Sequence, residues 1–242
     1  MELPMFRFRT LNDDDPILNA SPLIRALDFL CQEFEDNPKG IKLTKNLFFN
    51  LKLVERAIPA VDWPDWGVDE IYHRFRRIKV AHEDHFEPLM VLHDALLQLK
   101  LVRRHKGCLI LTPRGREIIE QRFRLFDLVA QHWILENGFF WRSRMNLMGN
   151  WDIWFNVIDE ETRAGTTGFD LRTVFYGPPE PGYDGVQSDL RNGVLLPLLW
   201  VGLMEEHFDN GRRLEDRTYS QTPLWSKYLE LDDKGPMLRV VN

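Results

Sequence analysis

Residues 101–116 read LVRRHKGCLILTPRGR, and this stretch decides the fold. Leu101–Arg104 and Cys108–Leu111 each predict a short strand, because apolar residues of high β-propensity dominate them. The intervening His105-Lys106-Gly107 predicts the turn of a hairpin. Thr112-Pro113 then predicts an N-cap followed by the first residue of a helix. The stretch therefore predicts a small basic hairpin that leads directly into a helix.

Helices are predicted on the amino-terminal side of this hairpin. Ser21-Pro22 is a strong helix start, and apolar residues continue from it at helical spacing as far as Phe34. A second helix is expected over Thr44–Ala57. Two more, Val68–Lys79 and His82–Lys100, are separated by so few residues that they predict a helix-turn-helix.

The order helix, turn, helix, strand, basic hairpin, strand, helix is that of a winged-helix domain. Leu101–Arg104 and Leu109–Arg116 resemble the wing of winged-helix regulators such as the MarR group, and the resemblance covers residues 41–137. It implies a winged-helix fold and a regulator that contacts nucleic acid. Leu43–Leu47, Glu83-Asp84 and the same wing also resemble a segment found beside uncharacterised Ri-plasmid open-reading-frame-three-like proteins.

The pattern recurs in the carboxy-terminal part of the chain. Leu195–Glu206 resembles the end of a recognition helix that runs into a first wing strand, and Arg217–Trp225 resembles a second wing strand and cap of the PadR type. Leu203 aligns with Leu101, and Thr222 aligns with Thr112. The second hairpin is then longer than the first, with Asp209-Asn210-Gly211 at its turn. An internal repeat of this kind predicts two copies of one fold.

We therefore predict a mainly α protein with short β-hairpins, in which tandem winged-helix domains are joined by an aromatic-rich helical bridge. The predicted divisions are an irregular segment over residues 1–20, a winged-helix domain with a basic wing over 21–126, the bridge over 127–160, and a second, diverged acidic winged-helix domain over 161–242. The two copies are expected to pack as a monomeric pseudo-dimer or to form a homodimer.

Composition narrows the class of protein. The 242 residues are 44% hydrophobic and 28% charged, which is ordinary for a globular chain and excludes a disordered or collagen-like one. The two cysteines are too few for a disulfide framework. An early acidic residue and the lack of an apolar run argue against a signal peptide, and no stretch is long enough to span a bilayer. The sequence thus predicts a cytoplasmic protein with no membrane association.

Positive charge is concentrated in the middle of the chain. The net charge is −6 overall, but it is −3 over residues 1–67, +4 over residues 68–126 and −7 over residues 127–242. Basic side chains in a winged helix can contact phosphates, which position the protein without reading base sequence. The candidate nucleic-acid-binding residues are Arg74, Arg76, Arg77, Lys79, Arg103, Arg104, Lys106 and Arg114.

The predicted recognition helix is less suited to this role. With its apolar residues directed to the core, its outward residues are expected to be Glu83, Asp84, Glu87, Asp94 and Gln98. Carboxylates on such a face repel phosphate and offer only acceptors to bases. Binding is therefore expected through the wing, by a non-enzymatic regulatory protein. The alternative is a winged-helix protein–protein adaptor that does not bind nucleic acid, with Trp141, Trp151 and Trp154 as the partner-binding residues.

Catalytic chemistry has little support in the sequence. His82 and His85 are three residues apart, whereas zincin ligands are separated by four, so no metal site is predicted. His93, on the apolar face of its helix, is expected to be a hydrogen-bonded core residue. Phosphate loops, nucleophile elbows and dinucleotide glycine fingerprints do not occur. We expect no catalytic residues, no cofactor and no enzymatic activity.

Overall fold

The computed structural model describes residues 6–76, 78–179, 185–207 and 216–232. It is mainly helical, with small antiparallel sheets. The helices are α1 (Pro22–Asp36), α2 (Leu51–Val61), α3 (Val68–Arg74), α4 (Glu87–Gln98), α5 (Pro113–Ile119), α6 (Arg122–Gln131), α7 (Gly138–Arg144), α8 (Trp151–Thr162), α9 (Gly168–Tyr176), α10 (Gly185–Leu190), α11 (Leu196–Val201) and α12 (Pro223–Tyr228). The strands are β1 (Phe6–Phe8), β2 (Ile41–Lys42), β3 (Val102–His105), β4 (Cys108–Leu111), β5 (Thr166–Thr167), β6 (Met204–His207), β7 (Thr218–Gln221) and β8 (Leu229–Leu231).

The chain divides into two compact units. The amino-terminal unit is residues 12–133, and the carboxy-terminal unit is residues 134–242 together with residues 1–11. The first residues, predicted to be irregular, include β1, which pairs antiparallel with β8 of the carboxy-terminal unit. The boundary at 133/134 falls inside the predicted bridge, which is largely helical.

The amino-terminal unit is built on a three-stranded sheet of order β2–β4–β3. Ser21 caps α1 and Thr112 caps α5 through their side-chain oxygens, as expected from the sequence. Apolar side chains of α1, α2, α4, α6 and β4 form the buried core of this unit. Its members include Leu23, Leu27, Leu53, Leu92, Leu109 and Phe126.

Two predicted helices of this unit differ from the structure. The helix expected from Thr44 begins at Leu51, because Leu47 has a left-handed φ of 65° and a Leu43–Phe49 bridge closes a turn. The tight helix-turn-helix is also absent: α3 ends at Arg74, and a 3₁₀ turn at Glu83–His85 precedes α4. The connection between α3 and α4 is therefore long and irregular.

The carboxy-terminal unit has a sheet of order β5–β7–β6, and its core surrounds Phe155, Leu171, Leu198 and Trp225. Its hydrogen bonds match those of the first unit at the aligned positions. The Thr112 amide donates to the Leu101 carbonyl at 2.9 Å, and the Thr222 amide donates to the Leu203 carbonyl at 3.0 Å. The register also corresponds, with Val102 opposite Leu111 and Met204 opposite Gln221.

Candidate nucleic-acid interface

The β3–β4 hairpin positions the basic residues of the amino-terminal unit. Lys106 (φ 48°) and Gly107 (φ 75°) both have left-handed conformations, as the two central residues of a type I′ turn require. Arg104 lies opposite Leu109 and His105 lies opposite Cys108 in the paired strands. The tight turn therefore places Arg104, His105 and Lys106 in a row at the end of the hairpin. We call these three residues, together with Arg103, the wing.

The sheet has one buried face and one exposed face, because successive residues of a strand point to opposite sides. Leu109 is buried in the core, so Cys108 and Ile110 point to the other side. Arg103 lies opposite Ile110, and His105 lies opposite Cys108. Arg103 therefore gives the exposed face of the hairpin a positive charge, while Arg104, opposite Leu109, lies on the other face and is itself exposed.

Two lysines that the sequence alone did not indicate lie beside the wing. Lys42, in β2, lies opposite Cys108 on the side away from β3, so it shares the exposed face. The Leu43 amide donates to the Gly107 carbonyl at 2.9 Å, which brings the turn containing Lys45 beside the wing tip. Gly40, just before β2, is the sequence signal that this segment packs closely against β4. A Cβ at residue 40 would lie 2.4 Å from the Ile110 side chain.

The cations of the wing and the neighbouring Arg114 are available to a ligand. Arg103, Arg104, Lys106 and Arg114 are exposed, and none forms an ion pair or a side-chain hydrogen bond with any residue that the structure describes. Because Arg114 is the second residue of α5, it follows closely after β4. Four unpaired cations near one hairpin can accept a polyanion without first breaking internal ion pairs.

The basic residues near α3 are arranged differently. The Arg74 guanidinium lies over the Trp66 ring at 4.0 Å and donates to the Asp65 carbonyl at 3.2 Å. Arg76 and Lys79 are exposed. Arg77 lies outside the described residues. Arg74 is therefore held by its own loop, unlike the wing arginines.

Helix α4 is enclosed by the core. Most of its residues are buried, and only Asp94 and Gln98 are exposed. Glu83, expected to face outward, is instead buried: its carboxylate accepts hydrogen bonds from the Phe49 amide and from the His93 ring, the latter at 2.7 Å. His93 is a hydrogen-bonded core residue, as expected. With so little exposed surface, α4 has no face suited to a DNA groove.

The corresponding hairpin of the carboxy-terminal unit carries acids at the aligned positions. Arg191 and Arg217 donate to the Glu206 carboxylate at 2.9 and 2.8 Å, and the Tyr219 hydroxyl donates to it at 2.7 Å. Burial by itself raises the pKa of Glu206, but Arg191, Tyr219 and Arg217 together lower it below its ordinary value. Glu206 thus holds a cluster together rather than repelling ligands. The expected tip residues Asp209–Arg213 lie outside the described residues.

The three candidate partner-binding tryptophans differ in accessibility. Trp141 is 52% exposed, Trp151 is half-buried, and Trp154 is only 4% exposed. The Trp154 indole N–H donates to the Tyr176 hydroxyl at 3.2 Å. Trp154 therefore belongs to the core of its unit, and Trp141 is the ring that a partner can reach.

Three observations on the described residues concern metal binding and thiol reactivity. No group of three or more His, Cys, Asp or Glu side chains among these residues is placed to hold a metal ion. His85 accepts a hydrogen bond from the His82 amide, so it belongs to a local turn. Burial raises the pKa of the Cys31 thiol to about 12, which disfavours the reactive thiolate. Among the described helices, none combines the length and apolar character needed to cross a bilayer.

Comparisons with known proteins give a two-domain family architecture. A family model described as the Y4jL N-terminal domain matches residues 19–124, and one described as the y4jL C-terminal domain matches residues 141–223. A relative from Sinorhizobium fredii (strain NBRC 101917 / NGR234), named "Uncharacterized protein y4jL", is 30% identical over 193 residues, which cover 77% of this chain and 86% of the relative. No solved structure matches the chain. The two matched ranges lie on either side of the 133/134 boundary between the compact units.

Proposed function

The chain belongs to the Y4jL family, and we propose that it is a regulatory protein that binds the phosphate backbone of nucleic acid through the wing of its amino-terminal unit. The observation that carries this proposal is the set of exposed, unpaired cations on and beside one hairpin. Their chemistry suits phosphate oxygens, for which Arg and Lys are the usual protein ligands.

A tandem winged-helix fold forms part of the proposal. In the amino-terminal unit, α1, β2, α2, α4, β3 and β4 follow in the order of a winged helix, with α3 as an additional helix between α2 and α4. The central position of β4 in the sheet agrees with this order. The carboxy-terminal unit has the corresponding order α8, β5, α9, α11, β6 and β7. In its sheet, β7 is the central strand. The matching register of the two hairpins supports a common origin.

The mode of binding follows from the burial of α4. A helix that exposes only Asp94 and Gln98 has little to offer to base edges, and Asp94 is repelled by phosphate. We therefore expect binding with weak dependence on base sequence and a strong dependence on salt, since each phosphate contact releases counterions.

The test is a fluorescence anisotropy titration of the full chain against a labelled DNA duplex and an RNA duplex of equal length, at low and at moderate salt. Reversing two wing charges with Arg103→Glu and Arg104→Glu is expected to abolish binding at moderate salt. At low salt it should reduce the slope of log affinity against log salt by about 2, because each phosphate contact contributes about 0.9.

A matched control makes the same change in net charge in the carboxy-terminal unit. Arg163→Glu with Lys227→Glu alters two exposed residues of the carboxy-terminal unit and should leave the affinity within about threefold, an effect of overall charge alone. The proposal fails if the wild-type chain binds neither duplex at low salt, or if the wing variant and the control variant bind alike.

A further inference from the structure

A second surface of the molecule lies on α7 and the turn that follows it. Trp141, Met145 and Met148 are 52%, 62% and 85% exposed. The Met145 amide donates to the Trp141 carbonyl at 3.0 Å, so Met145 lies one helical turn after Trp141 on the same side. With the exposed Arg142, these residues form what we call the α7 surface.

The composition of this surface is that of a binding site. Exposed apolar side chains scattered singly are normal, but contiguous apolar patches mark interaction surfaces. Trp, Met and Arg are the residue types enriched at protein interfaces, and Trp and Arg dominate their binding energy. All four members of the α7 surface belong to these types.

The charge of the segment indicates what kind of partner it fits. Residues 137–151 contain Arg142 and Arg144 and no Asp or Glu, although residues 127–242 carry a net charge of −7. The α7 surface therefore combines apolar side chains with one exposed cation, Arg142. Asp189 of α10 lies beside the segment, and its carboxylate accepts a hydrogen bond from the Asn146 side chain at 3.0 Å. An acidic partner is attracted to the α7 surface and repelled by the acidic segments around it in sequence.

Arg144 adds a second, independent observation. Its side chain is 6% exposed, and one of its Nη atoms donates to the Ile134 carbonyl, while Nε and the other Nη have no hydrogen-bond partner among the residues that the structure describes. The guanidinium lies 5.1 Å from the centre of the half-buried Trp151 ring. Burial lowers the pKa of Arg144 to about 10, so it stays protonated at neutral pH. A buried cation without an anionic partner is costly, and a carboxylate supplied from outside relieves that cost.

We propose that the α7 surface is a docking site for an acidic, apolar segment of a partner protein. Bulky apolar side chains of the segment cover Trp141, Met145 and Met148. Its carboxylates pair with Arg142 at the surface and, where the Trp151 ring moves aside, with the unpartnered edge of Arg144. This inference is independent of nucleic-acid binding, because its residues all lie in the carboxy-terminal unit.

Charge also disfavours a second copy of the chain as the occupant. A two-fold dimer places the same patch of both subunits face to face. On the α7 surface that would bring Arg142 of one copy near Arg142 of the other, and the neighbouring Asp189 carboxylate is already engaged by Asn146. A partner segment that carries Asp or Glu beside Leu or Phe complements both the charge and the apolar area of the α7 surface.

The test uses the full chain and a fluorescein-labelled, 16-residue amphipathic peptide with Leu and Phe on one helical face and Glu at the other positions. Matched peptides carry Gln or Lys in place of Glu. We expect the Glu peptide to bind, the Gln peptide to bind at least fivefold more weakly, and the Lys peptide not to bind in an anisotropy titration.

Variants of the chain locate the site. Trp141→Ser, Met148→Ser and Arg142→Glu are each expected to weaken binding of the Glu peptide at least tenfold. These residues are exposed, so the fold should persist, as circular dichroism can verify. Phe169→Ser and Arg163→Glu remove an exposed ring and an exposed cation elsewhere in the same unit and should leave the affinity within twofold.

Three results would overturn the proposal. The first is equal binding of the Glu and Lys peptides, or binding that the α7-surface variants leave unchanged. The second is binding to phosphatidylserine vesicles that Trp141→Ser abolishes, without binding of any peptide, which would assign the surface to a membrane. The third is a dimer in analytical ultracentrifugation that Met148→Ser converts to a monomer, which would assign it to a second copy.

Discussion

At the scale of single residues, Glu83 joins two parts of the amino-terminal unit that are distant in sequence. Its carboxylate accepts from the Phe49 amide, which ends the loop after β2, and from His93 in α4. The Phe49 and His93 rings also stack, with centroids 4.4 Å apart. Glu83 therefore holds the loop that carries Lys45 against α4, and through that loop it supports the position of Lys42 beside the wing.

Removing this carboxylate should destabilise the unit. Glu83→Ala leaves a buried amide and a buried imidazole without their shared acceptor, and we expect a loss of about 3 kcal/mol in the free energy of unfolding. Urea unfolding followed by circular dichroism measures it. The neighbouring Asp84→Ala changes an exposed carboxylate and should leave the midpoint unmoved. Equal midpoints for the two variants would show that Glu83 has no structural role.

A glycine provides a second prediction at this scale. A Cβ added at Gly115 would lie 1.9 Å from the Leu101 carbonyl oxygen, because α5 begins in close contact with the hairpin. Gly115→Ala should therefore cost about 2 kcal/mol or more, since the backbone must shift. Gly138→Ala is the matched control, because a Cβ there meets no atom within 4 Å. Thermal unfolding that shows the same shift for both variants would contradict this account.

At the scale of elements, the two hairpins have one geometry and opposite chemistry. In β3 the aligned positions are Arg103 and Arg104, which are exposed and unpaired, while in β6 they are Glu205 and Glu206. Glu206 is enclosed by two arginines and a tyrosine, and this network stabilises the hairpin. The same backbone thus presents free cations in one unit and an internal ion cluster in the other.

The Glu206 cluster predicts a dependence of stability on pH. A carboxyl whose pKa is lower in the folded than in the unfolded chain contributes stability at neutral pH and loses it as the pH falls below its ordinary value of 4.5. Glu206→Gln should cost about 3 kcal/mol at pH 7, because two half-buried cations lose their charged partner. The difference between wild type and variant should shrink between about pH 5 and about pH 3. A difference that stays constant over this range would exclude the cluster as its source.

The burial of α4 predicts that its acids do not govern nucleic-acid affinity. Asp94→Asn removes the exposed carboxylate of this helix and retains the side-chain acceptor for Gln98. If the wing alone contacts phosphates, affinity should rise by less than about twofold at moderate salt, where screening limits remote charges. A tenfold gain in an anisotropy titration would place α4 at the nucleic acid and contradict binding by the wing alone.

At the scale of the whole molecule, the chain combines one positively charged region with segments of net negative charge. The family models cover both units, so the two-domain layout belongs to the family. Residues 68–126 carry +4 and residues 127–242 carry −7. A polyanion such as nucleic acid is therefore attracted most strongly to residues 68–126, and the net negative charge of residues 127–242 disfavours its binding there.

Hydrogen–deuterium exchange of the full chain tests this restriction. With a bound duplex, we expect slower exchange over residues 41–48 and 102–108, which form the wing and its neighbouring turn. The β6 and β7 amides should exchange as in the free chain, because the cations that the structure describes beside that hairpin, Arg191 and Arg217, are paired with Glu206. Protection confined to residues 204–221 would locate the ligand on the other unit and refute the assignment.

Much of the fold was predictable because local chemistry determines it. Ser21 and Thr112 cap helices by bonding amides two or three residues away, and Lys106-Gly107 forms a turn that suits a tight hairpin. Thr222, which aligns with Thr112, likewise caps a helix, because its side-chain oxygen accepts from the Leu224 amide. These features depend on neighbours in sequence, so a single chain shows them.

The sites depended on contacts between distant residues, which the tertiary structure alone decided. Glu83 turned inward because an amide 34 residues away needed an acceptor, and Lys42 joined the wing because β2 pairs with β4. Trp154 became core while Trp141 stayed exposed. The sequence by itself determined the hairpins, the caps and the distribution of charge. Which cations remain unpaired is a property of long-range packing, because a side chain is free only when every neighbour in space leaves it so.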